Sequence, residues 1–329
     1  MILDGGTAAA VAQAAQALAR GELVAFPTET VYGLGADASR EEAVAKIFAA
    51  KGRPSDHPLI VHVRGREGIP AFAESLPPFA SRLVDAFWPG PLTLILPRQG
   101  GVAAAAAGGQ ASIGLRCPAH PVAHALLEAC AQAGVPGVAG PSANRFGRVS
   151  PTTAQHVQAE FGDALLVLDG GPCRVGIEST IVDCTREVPV LLRPGMITPA
   201  QLEAACGERM RSPEELAQAA PRAPGTLESH YAPNAKVRLM DAKQLQTALN
   251  LLGNEARGIA IYSRVILTTS SAQVLRRRMP DDAAETARQL FAVLREFDAQ
   301  GVGLIWVETP PDTPEWAGVR DRLQRAAAG

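Results

Sequence analysis

The chain has 329 residues, apolar residues make up 47% of it, and its formal net charge is −2. This length allows two domains with a sizeable core, and the balanced charge argues against a broad basic surface that coats nucleic acid. The five cysteines lack CxxC spacing, and neither an N-terminal signal nor a long apolar helix is evident. These features predict a soluble cytoplasmic protein without disulfides, a zinc site or a membrane span.

Predicted strands and helices alternate through the first two-thirds of the chain, which indicates an α/β domain over residues 1–206. The predicted strands are 22–26, 58–63, 91–97 and 112–117, followed by the apolar runs ALLVLDGG, STIVDCT and PVLLRPG. The predicted helices are 39–51, 78–88 and 121–133. A capping box of Ser39 and Glu42 is expected to begin the first of these helices.

The composition changes at residues 207–235, which are rich in proline and lack a regular apolar period. This stretch is predicted to be a linker between domains. Residues 236–329 then alternate short apolar strands with helices over 241–252, 283–299 and 314–327. The pattern predicts a second, smaller α/β domain with a parallel sheet.

Two polar loops precede the middle of the first domain, and each can be explained either by a ligand site or by ordinary local structure. Thr28, Glu29 and Thr30 follow a strand at its carboxyl end, where α/β proteins place ligands, although a plain polar turn would look the same. In KGRPSDHPLIVHV (51–63), Lys51 and Arg53 are typical of a helix exit, with Gly52 at the C′ position. The same two cations could instead form one wall of an anion site.

Two further loops carry hydrogen-bonding residues. In GPSANRFGRVSP (140–151), Ser142 and Asn144 stand among small residues, and Ser150 is expected to open a helix at Thr152. The free N–H groups of a helix start can bind an anion. The stretches GIESTIVDC and VLLRPG place Ser179 and an arginine, Arg193, among apolar residues, and a buried arginine needs a partner or a cleft.

These segments together contain cations as well as hydroxyl and amide groups. This combination is typical of a site that binds a phosphate-bearing ligand and a small carboxylate. The cations are Lys51, Arg53, Arg116 and Arg193. No P-loop and no GxGxxG fingerprint is present, so a nucleotide site must be built differently. Phosphoryl and nucleotidyl transfer depend mainly on positioning and charge stabilisation, which such a set supplies.

The motifs PTETVYGLG, KGRP followed by PLIVHV, WPGPLTLIL, GLRCP, PSAN, GIESTIVD and LLRPG occur in this order. As a set over roughly residues 10–200, they resemble the Sua5/YrdC family of L-threonylcarbamoyladenylate synthases, in its longer Sua5 type. The resemblance implies a twisted mixed sheet with a concave basic cavity and a Rossmann-like C-terminal domain. It implies the conversion of L-threonine, bicarbonate and ATP to threonylcarbamoyl-AMP and pyrophosphate, for threonylcarbamoyladenosine modification of tRNA.

The resemblance also implies roles for single residues. The implied catalytic set is Lys51, Arg53, Ser142 and Asn144. The implied ATP-binding set is Arg53, His57, Ser112, Ser142, Ser150, Arg193 and, closing over the nucleotide from the linker, Tyr231. The implied threonine-binding set is Thr30, His62, Arg116 and Ser179. Mg²⁺ is expected to be held by phosphates rather than protein side chains, and a downstream threonylcarbamoyl transferase complex and tRNA are expected partners.

Two departures from the family pattern and two alternative functions remain. Position 57 is His57 where the family often has Asn, and the linker reads APGTLESHYAP without the usual cations.

A double-stranded RNA-binding, tRNA-binding or ribosome-maturation module could use the same fold, which a steep salt dependence of RNA binding would favour. A carbamoyl-adenylate former acting on carbamoyl phosphate is a third reading, but the zinc-finger and acylphosphatase sequences that usually accompany it are missing.

Overall fold

The computed structural model describes residues 1–216, 219–226 and 230–329. The chain forms two compact units, the first of residues 1–146 and 150–226 and the second of residues 147–149 and 227–329. Apart from residues 147–149, the predicted domain 1–206 lies within the first unit, and the predicted domain 236–329 lies within the second. Within these described ranges, none of the helices is both long and apolar enough to cross a membrane.

The first unit is built on a ten-stranded mixed sheet in the order β1-β8-β2-β3-β7-β4-β6-β5-β9-β10. The strands are β1 Ile2–Asp4, β2 Val24–Phe26, β3 Gly33–Asp37, β4 Ile60–His62, β5 Leu92–Pro97, β6 Ser112–Arg116, β7 Val138–Ala139, β8 Leu166–Asp169, β9 Thr180–Asp183 and β10 Val190–Arg193. Parallel pairs such as β4 with β6 and β5 with β9 stand beside antiparallel pairs such as β5 with β6. The predicted mixed α/β fold is confirmed.

The central strands of this sheet separate apolar from polar residues by their two-residue period. In β5, Leu92, Leu94 and Leu96 pack into the main hydrophobic core. The residues between them, Thr93 and Ile95, therefore point to the opposite face. The same alternation places His62 of β4 and Arg116 of β6 on that opposite face, because their apolar neighbours fill the core. One face of the sheet thus holds the fold together, and the other collects polar side chains.

Within the described part of the first unit, six α-helices pack on the sheet: α1 Ala8–Ala19, α2 Glu41–Lys51, α3 Pro78–Phe87, α4 Pro121–Gln132, α5 Ala154–Phe161 and α6 Pro199–Cys206. The predicted capping box of α2 is wrong, since Arg40 is the N-cap and has no side-chain cap bond. Ser39 instead donates to Asp37 Oδ1 from both its backbone N–H and its hydroxyl. The helix expected at Thr152 begins at Ala154 with Thr153 as its N-cap.

The second unit contains a four-stranded parallel sheet in the order β11-β14-β12-β13. Its strands are β11 Lys236–Met240, β12 Ile259–Ser263, β13 Leu275–Arg278 and β14 Leu304–Glu308, and its helices are α7 Ala242–Leu252, α8 Ala283–Ala299 and α9 Ala317–Ala327. The predicted parallel α/β domain is confirmed. Strand β13 escaped prediction because three of its four residues are arginines, which carry no apolar alternation.

Candidate functional site

Thr28 and Thr30 form a directed hydrogen-bond chain just after β2. Both side chains are buried, and their hydroxyl oxygens lie 2.8 Å apart. Thr28 donates its hydroxyl proton to the Val31 carbonyl at 2.6 Å, so Thr30 must be the donor in the pair. Arg116 Nη1 in turn donates to Thr30 Oγ1 at 2.8 Å. Thr30 therefore meets any ligand as a hydrogen-bond acceptor, because its only proton is already committed.

Arg116 is held by two separate segments of the chain, residues 29–30 and the loop that contains Gly90. It is 3% exposed, and besides Thr30 it donates from Nε to the Gly90 carbonyl at 3.2 Å. Its Nη2 lies 2.7 Å from Oε1 of Glu29, which is 7% exposed. Glu29 Oε2 accepts from the Ala119 backbone N–H at 3.0 Å. A buried guanidinium needs such a counter-ion, since an unpaired charge in the interior is strongly destabilising.

His62 lies beside Arg116 in the sheet, since the two residues are direct partners between β4 and β6. Burial, followed by the Arg116 charge, lowers the pKa of His62 to about 3, so the ring is neutral near pH 7. The ring packs edge-on against Phe26 with centroids 5.5 Å apart. Gly140 leaves room for both rings, because a Cβ there would stand 2.9 Å from His62 Nδ1 and 3.1 Å from Phe26 Cζ.

Ser179 joins this cluster from the segment just before β9. Its hydroxyl lies 2.8 Å from that of Thr93 on β5. Arg193 donates from Nε to the Ser179 carbonyl at 3.0 Å and from Nη2 to the Ser179 hydroxyl at 3.2 Å. Both Ser179 and Arg193 are buried. The structure thus places all four predicted threonine-binding residues on or beside the polar face of the sheet.

Lys51 is the last residue of α2, and its ammonium anchors the PSAN loop. Its Nζ donates to the backbone carbonyls of Ser142 and Asn144. Lys51 is 3% exposed, and burial, followed by the Arg53 charge, places its pKa well below the usual value. Gly52 ends the helix in the left-handed conformation, with φ +63°, and Lys51 just before it reaches the loop, so the helix exit also anchors this loop.

Arg53 and His57 share one aromatic neighbour, Phe146. The Arg53 guanidinium carbon lies 5.8 Å from the Phe146 ring centroid, and Nη2 donates to the Pro58 carbonyl at 2.8 Å. The His57 ring lies edge-on to Phe146 at 5.5 Å. Partial burial lowers the pKa of His57, and the Arg53 charge lowers it further. His57, the residue that departs from the family pattern, therefore favours the neutral state beside a cation.

The remaining predicted ATP-binding residues are more scattered. Ser112 is buried at the start of β6 and helps to line a cavity of about 450 Å³. Ser150 is fully buried and donates to Glu178 Oε1. Tyr231 belongs to the second unit, where it is fully buried against Phe291 with ring centroids 5.4 Å apart. The nucleotide contacts of these residues stay predictions.

Residues 219–226, here called the strap, run over the first unit and are clamped at Arg222. The Arg222 backbone N–H donates to Gln110 Oε1 at 2.8 Å, and Gln110 Nε2 donates back to the Arg222 carbonyl at 3.1 Å. The Arg222 guanidinium pairs with Asp56 at 2.7 Å on the surface. The strap is therefore tied both to the start of β6 and to the loop that carries His57.

The next strap residue, Ala223, packs on the polar face of the sheet. It forms a small apolar cluster with Ile60, Ile95 and Ile181. Arg193 donates from Nη1 to the carbonyl of the following residue, Pro224, at 2.8 Å. Arg193 thus links the strap to Ser179. A nucleotide that contacted Arg193 would meet a guanidinium that is also bonded to the strap.

Sequence reasoning did not identify three residues that contact predicted site residues: Glu29 contacts Arg116, Thr93 contacts Ser179 and Glu178 contacts Ser150. The available signal for Thr93 was a single polar residue inside the apolar strand LTLIL. Glu29 was noted as part of a polar cluster, but its pairing with Arg116 joins residues 87 positions apart and follows from the tertiary fold. Across the described part of the chain, no three His, Cys, Asp or Glu side chains are grouped so that they could hold a metal ion.

Comparison with known families covers nearly the whole chain. The Sua5/YciO/YrdC family, described under the heading of telomere recombination, matches residues 16–195. A second family, described as the C-terminal domain of threonylcarbamoyl-AMP synthase, matches residues 197–328. The two matches meet near the end of β10, before the strap begins.

Individual relatives are similar along almost their full length. A threonylcarbamoyl-AMP synthase of Pyrococcus abyssi is 38% identical over 323 residues, covering 95% of this chain and 93% of that protein. The Bacillus subtilis threonylcarbamoyl-AMP synthase is 39% identical over 335 residues, covering 97% and 93%. The crystal structure of Pyrococcus abyssi Sua5 complexed with L-threonine superposes with a TM-score of 0.88 at 36% identity, covering 99% and 97%.

Proposed function

The chain belongs to the Sua5/YciO/YrdC family, and on that premise we propose that it is an L-threonylcarbamoyladenylate synthase. It forms threonylcarbamoyl-AMP and pyrophosphate from L-threonine, bicarbonate and ATP. The observation that carries this proposal is the buried cluster of Thr30, His62, Arg116 and Ser179 on one face of the sheet, here called the amino-acid end. The related Pyrococcus abyssi Sua5, which has been crystallised with L-threonine, supports it.

At the amino-acid end, Arg116 is the group that receives the threonine carboxylate, since a guanidinium matches a carboxylate in shape and charge. Thr30 can only accept a hydrogen bond, which suits the threonine amine. Neutral His62 carries a buried Nδ1 without a partner among the described residues, and it is available to the threonine hydroxyl. These contacts would fix the amino acid while leaving its amine open to react.

The reaction then needs positioning more than strong acid or base catalysis. The threonine amine combines with bicarbonate to give a carbamate and water. A carbamate oxygen attacks the α-phosphorus of ATP, the new O–P bond forms, and the bond to the β-phosphate oxygen breaks with release of pyrophosphate. Because the attacking oxygen is already anionic, the protein mainly has to align it and stabilise charge on the phosphates.

The phosphates are assigned to Lys51, Arg53, Ser142 and Asn144, here called the phosphate end, together with Arg193. Lys51 holds two loop carbonyls, so it acts first by shaping the loop that would surround the phosphates. Mg²⁺ would accompany ATP, coordinated mainly by phosphate oxygens, as is usual for this ion. The proposed reaction transfers AMP to the carbamate, which would make the enzyme a nucleotidyltransferase.

The product is a reactive mixed anhydride, so a transferase must consume it before water does. We place that transferase and its tRNA substrate downstream of this chain. The strap is the candidate cover that excludes water from the carbamate.

The direct test is an omission assay with α-labelled ATP. Pyrophosphate and labelled threonylcarbamoyl-AMP should both appear only when L-threonine, bicarbonate and Mg²⁺ are present together. Pyrophosphate release that persists without L-threonine would contradict the proposal. RNA binding with a steep salt dependence in a protein that makes no pyrophosphate would favour the RNA-module reading instead.

A further inference from the structure

Glu29 stands in direct contact with the group that is proposed to bind the substrate carboxylate. Its Oε1 lies 2.7 Å from Arg116 Nη2, and the exposed fractions of the two side chains are 9% and 4%. A carboxylate already occupies one side of the guanidinium before any ligand arrives. The ligand carboxylate and Glu29 must therefore share one buried cation.

The contact between these atoms is an ion pair without hydrogen-bond geometry. Among the residues that the structure describes, Arg116 Nη2 has no hydrogen-bond acceptor and Glu29 Oε1 has no donor, although both atoms are buried. The other two guanidinium nitrogens are committed, Nη1 to Thr30 and Nε to Gly90. Nη2 and Glu29 Oε1 therefore meet as opposite charges 2.7 Å apart, and a ligand carboxylate at Arg116 would share this cation with Glu29.

Glu29 is itself fixed in place from both ends. Its side-chain Oε2 accepts from the Ala119 N–H at 3.0 Å. Its backbone carbonyl accepts from the Val175 N–H at 2.7 Å, in the segment that leads to Ser179. A negative charge held this rigidly in a site of low dielectric acts strongly on any charge that a ligand brings.

We propose that Glu29 is a specificity-determining and positioning residue, which makes the site select a zwitterionic amino acid over a simple carboxylate. Glu29 orients Arg116. Its negative charge repels a ligand that brings only a carboxylate, and it attracts the ammonium of a ligand that carries both groups. Because His62 is neutral, it adds no second positive charge beside Arg116 that would repel the ammonium. This inference rests on the proposed function, since it assumes that L-threonine binds at Arg116.

The test compares two ligands that share a carboxylate and a hydroxyl and differ in the amine, L-threonine and 3-hydroxybutyrate. Their dissociation constants are measured by calorimetry on the full chain and on Glu29→Gln. Because both ligands carry the carboxylate, the ratio of their two dissociation constants isolates the interaction between the ammonium and the Glu29 charge. We expect the preference for L-threonine to fall at least tenfold in Glu29→Gln. A ratio unchanged within twofold would overturn the proposal.

Two further variants separate this role from a general effect on folding. Glu308→Gln removes the carboxylate from the Arg264–Glu308 ion pair of the second unit and should leave the ratio unchanged. Glu29→Asp keeps the charge but is too short to hold both Arg116 and the Ala119 N–H, so L-threonine affinity should fall at least threefold. A folded Glu29→Asp with wild-type affinity would overturn the positioning role, even where Glu29→Gln does not fold.

The outcomes also distinguish this inference from the proposed function. Wild-type protein that binds neither ligand would overturn both. Wild-type protein that binds L-threonine and makes threonylcarbamoyl-AMP, with an unchanged ratio in Glu29→Gln, would overturn only the role of Glu29.

Discussion

At the amino-acid end of the site the polar atoms belong to buried side chains on or beside strands, whereas at the phosphate end they lie largely on loops. Arg116 and His62 project from adjacent strands and are almost without exposure. At the phosphate end, Ser142 is only partly buried, and the Lys51 ammonium donates to two loop carbonyls. One end is a cluster of buried side chains, and the other is a loop whose carbonyls are bonded to a buried lysine.

This difference corresponds to what each ligand group requires. A small zwitterion is recognised by a few directed contacts, which gain strength when water is excluded. A polyphosphate is larger and carries several charges, and backbone N–H groups along a loop can contact several of its oxygens. Variants at the two ends should therefore fail differently, and three experiments test that contrast from the largest expected effect to the smallest.

Replacing Lys51 with Met should have the largest effect. The change leaves the Ser142 and Asn144 carbonyls without their donor, which costs about 2–4 kcal/mol of unfolding free energy, and it removes a charge near the phosphates. Turnover at saturating substrates should fall about 100-fold. Thermal melting and pyrophosphate release measure the two effects separately.

Lys46→Met is the matched control for this variant. Lys46 lies on the same helix and also donates to a backbone carbonyl, that of Gly21, but it is exposed. The control should keep both turnover and melting temperature near the wild-type values. A folded Lys51→Met enzyme with wild-type turnover would contradict the role given to the phosphate end.

The amino-acid end should make stability depend on pH through His62. Its folded-state pKa is about 3, below the unfolded value of about 6.5, so the unfolded chain binds more protons between these values. The stability that His62 contributes is present above pH 6.5 and is lost as the pH falls towards 3. Urea unfolding at pH 7 and pH 5 should show wild type losing roughly 2 kcal/mol more than His62→Asn. An equal loss in both proteins would refute this.

The smallest effect is expected at the strap. The Arg222–Asp56 ion pair is exposed, so Arg222→Ala removes a weak contact while the backbone bonds to Gln110 remain. A loosened strap should uncover the sheet face more readily, and KM for ATP should fall by about threefold at most. KM for L-threonine should not change. The control is Arg20→Ala, which breaks the exposed Arg20–Glu22 pair. An equal fall of KM for ATP in this control would show that the strap does not cause the effect.

Local chemistry predicted the exit of α2 better than its start. Gly52 had a physical reason to adopt positive φ after a helix, and the structure bears this out. The start failed because Ser39 had a competing partner, Asp37, two residues before it. Asp and Ser side chains readily bond nearby backbone groups, so the sequence pattern could not tell a turn from a capping box.

The sequence by itself predicted the alternation of strands and helices in both domains, apart from elements such as β1, α1 and β13, and it identified the polar loops, because apolar period and turn residues are local properties. Only the tertiary structure decided which loops meet. The contact of Arg116 with Glu29, the anchoring of the PSAN loop by Lys51 and the attachment of the strap to Arg193 all join distant segments. Such contacts depend on which strands become neighbours in the ten-stranded sheet, and no local period encodes that order.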